Sequence, residues 1–252
     1  MTFAQYHAHS RRLDISLTFI MPLLVAYEVG VILCQAGIEN EVALRLIKLP
    51  LRDVFGIHGL LVFNGAMILA FLVAFALAED VEGTRADMYL GMVVESAAFA
   101  IALGTVVLGL VGALYGLASV HELLSVAWPS QDRMLAVTLS IGAGVYEELF
   151  FRLVLISGIL VLVRRLMVRA FADPVEPDCW SAAALAAVVV SSLLFSLAHH
   201  LGPAGEPFAL RPFAYRYLCG VILAVIYLWR GLGIAVWTHA FYDILLDIRH
   251  FG

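Results

Sequence analysis

Charged residues are scarce in this chain of 252 residues. Only 14% are Asp, Glu, Lys or Arg, whereas 63% are hydrophobic; an average soluble domain has about 25% charged and about 45–50% apolar residues. One soluble core cannot hide this excess, because much of any such domain faces water. The composition therefore excludes a soluble globular enzyme and a disordered chain, and it indicates an integral membrane protein with several spans.

Basic charge and cysteine are also scarce. The 15 Lys and Arg residues are outnumbered by 20 Asp and Glu residues, which gives a formal net charge of −5. A nucleic-acid-binding domain needs a basic surface, so nucleic acid is excluded as a partner. The three cysteines, Cys34, Cys179 and Cys219, are widely spaced. They form no CxxC pair, which excludes a zinc ribbon and a disulfide framework.

Long apolar stretches make up most of the chain. A membrane helix needs about 20 mainly apolar residues, and seven stretches qualify: approximately 15–37, 57–78, 89–118, 134–163, 181–201, 214–229 and 232–247. The last two flank Trp229-Arg230-Gly231 and predict a tight helical hairpin. Residues 39–56 mix charged and apolar side chains, which is typical of an interfacial helix. We therefore predict an all-α polytopic bundle of about seven transmembrane helices, with residues 1–252 forming a single membrane domain.

The Lys and Arg residues do not orient the bundle. Apart from Arg152, which lies inside a predicted span, they divide seven to seven between the two sides of the membrane, so the positive-inside rule does not decide. The Arg11-Arg12 pair before the first span favours a cytoplasmic N-terminus. The first span is too long for the apolar region of a signal peptide, and we interpret it as a retained helix.

Polar and charged side chains inside the predicted spans are few. Such groups are costly in lipid, so they usually face the bundle interior and often mark function. They are Glu28, Asn64, Glu95, Glu147, Glu148, Arg152, His199, His239 and Asp243. Nothing in the sequence assigns a role to Glu28 or Glu95. The charged residues and histidines from 147 onward form three short segments, on the fourth, fifth and seventh spans.

The fourth span carries two adjacent carboxylates and an arginine. Glu148 and Arg152 are four residues apart, so they lie on one helix face and can form an ion pair. Glu147 lies about 100° further round the helix and lacks that partner. An unpaired carboxylate in a poorly hydrated site suits a general base that works near neutral pH. The alternative is a structural Glu–Arg–Glu cluster that ties helices together.

Histidines on the fifth and seventh spans complete the set. His199 lies near the end of the fifth span, and we interpret His200 as its interfacial neighbour. His239 and Asp243 are four residues apart, so the carboxylate can accept from the imidazole and fix its tautomer. Alone, His199 is equally compatible with an interfacial histidine, and the His239–Asp243 pair with a polar contact that holds helices together. Because consecutive spans alternate in direction, the three segments can line one cavity and activate water, either directly or through a bound zinc ion.

The motifs in these spans are EExxxR (Glu147, Glu148, Arg152), FxxxH (Phe195, His199) and HxxxD (His239, Asp243). Each lies on its own predicted helix. In this order they resemble the motifs of the CAAX prenyl protease and bacteriocin-processing family of intramembrane endopeptidases, also called the abortive-infection family. The resemblance covers roughly residues 130–247, and the first three spans match only as generic membrane helices. It implies an all-helical membrane fold and peptide-bond hydrolysis at a cavity within the bilayer.

The resemblance implies a role for the residues of the first two motifs. Glu147 and His199 would activate a water for attack on the scissile carbonyl. Glu148 and Arg152 would brace the site. Phe195 would support the site or contact the substrate.

The third motif leaves the cofactor open. By the resemblance, His239 and Asp243 would stabilise the oxyanion. The family accepts Asn or Asp at the last position, but an ionised Asp cannot donate to an oxyanion. Asp243 therefore stays protonated, orients His239 or binds a metal, since members are described both as metalloproteases and as metal-free glutamate proteases. If zinc is used, the ligands are expected to be Glu147, His199, His239 and Asp243.

The expected substrate is a membrane-anchored protein or peptide, cleaved by CAAX-type or C-terminal sorting-signal processing. Nothing in the sequence recognises a prenyl group. We expect a multi-pass protein of the bacterial inner (cell) membrane. One alternative is a proton- or ion-coupled carrier that uses the same carboxylates and histidines, although the chain lacks the inverted repeat that many carriers have. The other is a bacteriocin-immunity-type membrane protein that keeps the motifs without using them.

Overall fold

The fold is all-helical in the part of the chain that the computed structural model describes, namely residues 1–34, 49–77, 85–115, 133–170, 177–201 and 205–250. The helices are α1 Phe3–Ser10, α2 Leu13–Cys34, α3 Leu49–Leu77, α4 Arg85–Tyr115, α5 Arg133–Glu148, α6 Ser157–Ala170, α7 Pro177–Ala198, α8 Leu210–Arg230 and α9 Leu232–His250. A π-helical segment, Leu149–Ile156, joins α5 directly to α6. The predicted all-α fold is confirmed.

Among the described residues, each of the seven predicted spans overlaps a helix, although the fifth extends beyond its helix, which ends at Ala198. Four helices in the described ranges are long and apolar enough to cross a membrane: Leu13–Cys34, Ala86–Tyr115, Trp180–Ala198 and Leu210–Arg230. The protein is therefore an integral membrane protein. The other predicted spans coincide with α3, with the continuous helix from α5 to α6, and with α9. Helix α1 precedes the first span, and the apolar pattern does not predict it.

Apolar side chains cover much of the outside of the bundle. Ile32 on α2, Val94 and Ile101 on α4, and Leu185 on α7 are each more than 60% exposed. In water, a contiguous surface of this kind is unfavourable, whereas lipid tails are as apolar as these side chains. The outer faces of these helices therefore suit contact with the bilayer.

Helix α9 occupies the centre of the bundle. It packs against α2, α4, α5 and α8, and the successive residues Ile234, Ala235 and Val236 are fully buried. Small residues allow the close approach, because a Cβ on Gly144 of α5 would lie only 2.8 Å from Ala240 of α9. A helix that is surrounded in this way can carry polar side chains without exposing them to lipid.

The predicted hairpin between the last two spans is present. Helix α8 ends at Arg230, and α9 begins at Leu232. Between them, Gly231 has a φ of +91°, a conformation that glycine adopts without steric cost. The backbone of Arg11 lies 3.0 Å from the position that a Cβ on Gly231 would take. Glycine therefore allows both the sharp turn and its close packing against the N-terminal segment.

The expected interfacial helix over residues 39–56 lies partly outside the described residues. Residues 39–48 are not described, and residues 49–56 form the beginning of α3. The helix kinks at Gly56, whose φ of +63° and ψ of −156° are not helical. Val54, just before the kink, is 71% exposed. An exposed apolar turn at an angle to the following helix fits an interfacial position.

Candidate functional site

A buried ion pair lies at the centre of the candidate site. Glu148 is the last residue of α5, and Arg152 lies one turn further, in the π-helical segment. Arg152 Nε is 3.0 Å from Glu148 Oε2, and both side chains are fully buried. The predicted i,i+4 pair is therefore formed. Because the attraction within a buried pair often fails to offset the loss of hydration, further contacts are needed to hold these charges.

The π-helical segment is tied to α7. Such turns contain one extra residue and are frequent at functional sites, because the i→i+5 pattern interrupts the regular helical hydrogen bonds. Here Ser191 Oγ donates to the Phe151 carbonyl at 2.9 Å, and both residues are buried. A side chain of α7 therefore stabilises the irregular turn directly beside Arg152.

Arg152 contacts both α7 and α8. Its Nη2 donates to the Gly220 carbonyl at 3.3 Å, and its guanidinium carbon is 4.7 Å from the centroid of the Phe195 ring. A Cβ on Gly220 would lie 3.2 Å from Phe195 and from Ser192, so glycine lets α7 and α8 pack closely at this level. Arg152 thus links three helices while its charge balances that of Glu148.

The His239 ring lies between two carboxylates. Its Nδ1 is 2.8 Å from Glu148 Oε1, and its Nε2 is 3.4 Å from Asp243 Oδ2. The second contact is the predicted i,i+4 pair, whereas the first joins α9 to α5 and follows from no spacing on either helix. An ionised carboxylate can only accept, so Nδ1 of His239 carries a proton. His239 is buried, while 29% of the Asp243 side chain is exposed.

The backbone fixes the ring of His199, which directly follows α7. Its Nδ1 is 2.9 Å from the Phe195 carbonyl oxygen, and because a carbonyl only accepts, this nitrogen donates. In the neutral ring, Nε2 then has a lone pair that can accept a proton. His200 makes a different contact, with its Nδ1 3.2 Å from the Glu206 carbonyl oxygen. The two adjacent histidines therefore have separate surroundings.

Phe195 lies where the three motifs meet. Its ring centroid is 5.2 Å from that of His199 and 5.9 Å from that of His239, and the Arg152 guanidinium lies over it. Phe151 packs edge-on against it at 5.3 Å. Residues from three separate predicted spans therefore meet around one aromatic ring. Phe195 is buried, which favours the supporting role over direct contact with a substrate.

Glu147 is buried beside this network without sharing its ion pair. It is 3% exposed and directly precedes Glu148 on α5. The Arg152 guanidinium pairs with Glu148 instead. The motif residues thus include three carboxylates against one arginine and two histidines. One arginine can neutralise only one of the three carboxylates, so the set retains groups that can accept a proton.

The expected zinc ligands do not form a metal site. The candidates are Glu147, His199, His239 and Asp243. Within the described ranges, no group of three or more His, Cys, Asp or Glu side chains is arranged to hold a metal ion. Nδ1 of His239 is engaged by Glu148, so this ring could offer zinc only Nε2, which lies 3.4 Å from Asp243. A catalytic zinc needs three protein ligands and an open position, and this donor set does not fit that requirement.

Comparison with known protein families gives an independent view of the same residues. Residues 129–245 match a family model described as type II CAAX prenyl endopeptidase Rce1-like. This segment is similar to that family, and we call it the Rce1-like segment. It contains every motif residue and nearly coincides with residues 130–247, over which the resemblance was predicted. The resemblance is confirmed, and the match supports a CAAX-type endopeptidase that acts on a protein or peptide, not a carrier. No curated protein and no solved structure matches the chain.

The Rce1-like segment contains a further cation that the motifs do not include. Arg216 on α8 pairs with Glu206, with Nη2 2.7 Å from Oε1. The seven-to-seven division of Lys and Arg counts Arg216 with the charges outside the spans, but α8 begins at Leu210 and places Arg216 more than one turn inside the helix. The sequence does contain a signal for Arg216, because an arginine within an apolar helix often marks function.

Glu28, to which the sequence assigns no role, contacts the helix that carries the Rce1-like EExxxR motif. Its Oε1 accepts from the Tyr146 hydroxyl at 3.0 Å, and Tyr146 directly precedes Glu147. Tyr27 packs edge-on against Tyr146, with ring centroids 5.3 Å apart. Helix α2, which lies outside the Rce1-like segment, is therefore held against α5 next to Glu147.

A second buried charged network reaches outside the Rce1-like segment. Arg230 Nε and Nη2 contact the two oxygens of Glu95 at 2.5 and 2.8 Å, and Nη2 also donates to Ser10 Oγ at 3.1 Å. The Tyr6 hydroxyl donates to Glu95 Oε2 at 2.6 Å. Burial, together with this hydrogen bond, raises the pKa of the Tyr6 phenol above its usual range. Glu95 therefore joins α1 and the α8–α9 hairpin to α4.

Proposed function

We propose that this protein is an intramembrane endopeptidase that hydrolyses a peptide bond of a membrane-associated protein or peptide, with water activated by Glu147 and His199. The observation that carries the proposal is the meeting of the three motifs around Phe195, with Glu147 buried beside an ion pair that does not neutralise it. The match to the family supports CAAX-type processing; removal of a C-terminal sorting signal is the second substrate class that we propose.

Glu147 acts as the general base in this proposal. It takes a proton from water, and the resulting hydroxide oxygen forms a bond to the scissile carbonyl carbon. His199 accepts a hydrogen bond from the other O–H of the water through Nε2, because its Nδ1 donates to the Phe195 carbonyl; that hydrogen stays on the oxygen. The water is thus oriented by one carboxylate and one imidazole. Collapse of the tetrahedral intermediate breaks the C–N bond, and Glu147 returns its proton to the leaving nitrogen.

The oxyanion is stabilised by His239. Its Nδ1 is engaged with Glu148 at 2.8 Å, whereas its Nε2 is held less tightly, 3.4 Å from Asp243. An N–H group at Nε2 can therefore turn its hydrogen bond toward the developing negative charge. Of the three possibilities for Asp243, this geometry favours the one in which the carboxylate orients His239. Arg152 acts indirectly, because it fixes Glu148 and thereby the imidazole.

The test is peptide cleavage by the purified protein in liposomes. Glu147→Gln keeps the shape of the side chain and removes the base, so we expect cleavage to fall by about 10²- to 10⁴-fold, with a similar loss for His199→Gln. Glu95→Gln is the matched control, because it alters a partly buried, ion-paired carboxylate outside the site; its activity is measured per folded protein. Full activity of Glu147→Gln would overturn the proposal.

A chelator separates the two mechanisms that the sequence left open. If water is activated by Glu147 and His199 alone, cleavage persists after treatment with a chelator and dialysis. Activity that is lost on chelation and restored by zinc would contradict this mechanism. The same samples, followed by thermal unfolding, show whether any loss of activity reflects loss of the fold.

A further inference from the structure

Arg216 is a largely buried cation that the proposed mechanism does not use. It lies four residues, and therefore one helical turn, before Gly220 on α8. The Gly220 carbonyl accepts from Arg152, and its Cα packs against Phe195. Helices α7 and α8 are packed neighbours and run in opposite directions. Ser196 Oγ of α7 donates to the Phe213 carbonyl of α8 at 2.7 Å, so the end of α7 that precedes His199 lies against the turn of α8 that precedes Arg216.

Contacts through Glu206 bring Arg216 to the same place. Its Nη2 is 2.7 Å from Glu206 Oε1, and the Glu206 backbone N–H donates to the His199 carbonyl at 3.0 Å. The positive charge of Arg216 also acts directly on the His199 ring. Arg216 is thus fixed beside the residue that is proposed to orient the attacking water.

The guanidinium of Arg216 has an unused donor. Glu206 contacts Nη2, whereas Nη1 is buried and has no hydrogen-bond partner among the described residues. A buried donor without a partner is unfavourable and calls for an explanation. The planar fork of a guanidinium fits a carboxylate with two parallel hydrogen bonds. A carboxylate that enters the site would accept a hydrogen bond from Nη1. It would also help to balance the positive charge of Arg216, because Glu206 contacts only Nη2 and is itself partly exposed.

We propose that Arg216 binds a carboxylate of the substrate close to the scissile bond. The inference rests on the proposed endopeptidase function and narrows its substrate class. One turn of helix is about 5.4 Å, and an extended peptide advances about 3.3–3.6 Å per residue. The carboxylate is therefore expected within about three residues of the bond that is cleaved. Two sources supply such a group: the C-terminus of the substrate, or an Asp or Glu side chain.

Three peptides test the inference with the full-length protein in liposomes. The first is a prenylated peptide that ends in Cys, two aliphatic residues and a last residue with a free carboxylate. The second is the same peptide with a C-terminal amide, and the third is the amide with Asp as its last residue. We expect kcat/KM for the free acid to exceed that for the amide by about ten- to hundredfold. Rescue of the amide by Asp shows that any carboxylate suffices, and lack of rescue assigns the C-terminus.

Variants assign the preference to Arg216. In Arg216→Gln, the ratio of kcat/KM between acid and amide is expected to fall toward one, mainly through a higher KM for the acid. Arg216→Lys keeps the charge and should retain part of the preference. Arg211→Gln makes the same change at an exposed position of α8 and should leave the ratio unchanged. Glu206→Gln leaves the Arg216 charge in place and should preserve the preference.

Three outcomes separate this inference from the proposed function. If the wild type cleaves acid and amide equally, the inference is wrong, the endopeptidase function stands, and Arg216 and Glu206 form a structural pair. If Arg216→Gln keeps the preference, another group recognises the carboxylate and the inference is also wrong. If the wild type cleaves none of the three peptides, the result counts against the proposed function itself.

Discussion

Two buried charged networks in this bundle differ in their charge balance. Around Glu95, one carboxylate meets one arginine, and two hydroxyl groups complete the hydrogen bonds. Around Glu148, three carboxylates face one arginine and two histidines. In the first network the arginine balances the carboxylate, and only Arg230 Nη1 is buried without a hydrogen-bond partner among the described residues. The second network retains groups that can take up and release protons. A surplus of titratable groups in a buried site is what function requires, and a balanced pair is what stability requires.

The networks also differ in the parts of the chain that they join. Tyr6, Ser10 and Glu95 precede the Rce1-like segment, and Arg230 lies within it. The Glu95 network therefore attaches the N-terminal helices to the Rce1-like segment. The motif network lies wholly inside that segment. We expect substitutions in the Glu95 network to change stability and substitutions in the motif network to change catalysis, with Arg152 as the residue that affects both.

The largest effect is expected for Arg152→Met. The substitution leaves Glu148 buried without its 3.0 Å partner, and breaking a buried pair in this way costs about 3–5 kcal/mol. Cleavage should fall by at least about 10²-fold, because Glu148 and His239 lose their fixed positions. Denaturant unfolding in detergent and the liposome assay measure the two losses. Arg165→Met, at an exposed position of the same continuous helix, is the control, and equal behaviour of the two variants would contradict the central place of Arg152.

Asp243 tests whether the surplus of carboxylates matters to the reaction. If Asp243 orients His239 by accepting from Nε2, Asn keeps an acceptor at the same place and Ala does not. We expect Asp243→Asn to lower kcat roughly tenfold and Asp243→Ala roughly a hundredfold, a loss of the size seen when the carboxylate that orients a metal-bound histidine is removed. Equal losses in both variants would show that the negative charge, and not the orientation of the ring, is what the site needs.

Glu95→Gln should produce the opposite pattern. The substitution weakens two charge-assisted hydrogen bonds to Arg230, each of which contributes about 1.5–3 kcal/mol. Unfolding in detergent should therefore occur at a lower denaturant concentration, while cleavage per folded protein stays close to that of the wild type. A loss of activity as large as that of Glu147→Gln, at unchanged stability, would mean that the two networks do not divide their roles in this way.

Contacts within one helix follow from the sequence, and contacts between helices do not. Glu148–Arg152 and His239–Asp243 are each four residues apart, so the helical repeat alone predicts that they meet. The contact between Glu148 and His239 depends on how closely α5 and α9 approach, which Gly144 allows. Local spacing contains no information about that distance. The bridging position of His239, and with it the misfit to zinc, could therefore be seen only in the folded bundle.

The Glu95 network escaped prediction for a related reason. The sequence marks Glu95 as a charge inside a span, but its partner Arg230 is 135 positions away and lies in a turn that predicts only a hairpin. Tyr6 lies on α1, a helix of eight residues. The local sequence shows that Thr2 can cap this helix, but it does not show that the helix packs against α4. The apolar pattern predicts the spans because lipid imposes it on each helix separately. It does not predict which helices meet.

The smallest effect is expected for Tyr6→Phe. The ring that lies under the Arg230 guanidinium is kept, and only the hydroxyl that donates to Glu95 is lost, so the free energy of unfolding should fall by about 1 kcal/mol.

Burial and Glu95 raise the pKa of Tyr6 in the folded protein, whereas an unfolded tyrosine ionises near pH 10. The contribution of Tyr6 is therefore fully present below about pH 10 and is lost as the pH rises further. Denaturant unfolding in detergent at pH 8 and above pH 10 should show a difference between wild type and Tyr6→Phe that shrinks at the higher pH. Tyr217→Phe, on the partly exposed surface of α8, is the control, and a difference for Tyr6→Phe that stays constant with pH would show that the Tyr6 proton does not contribute to the network.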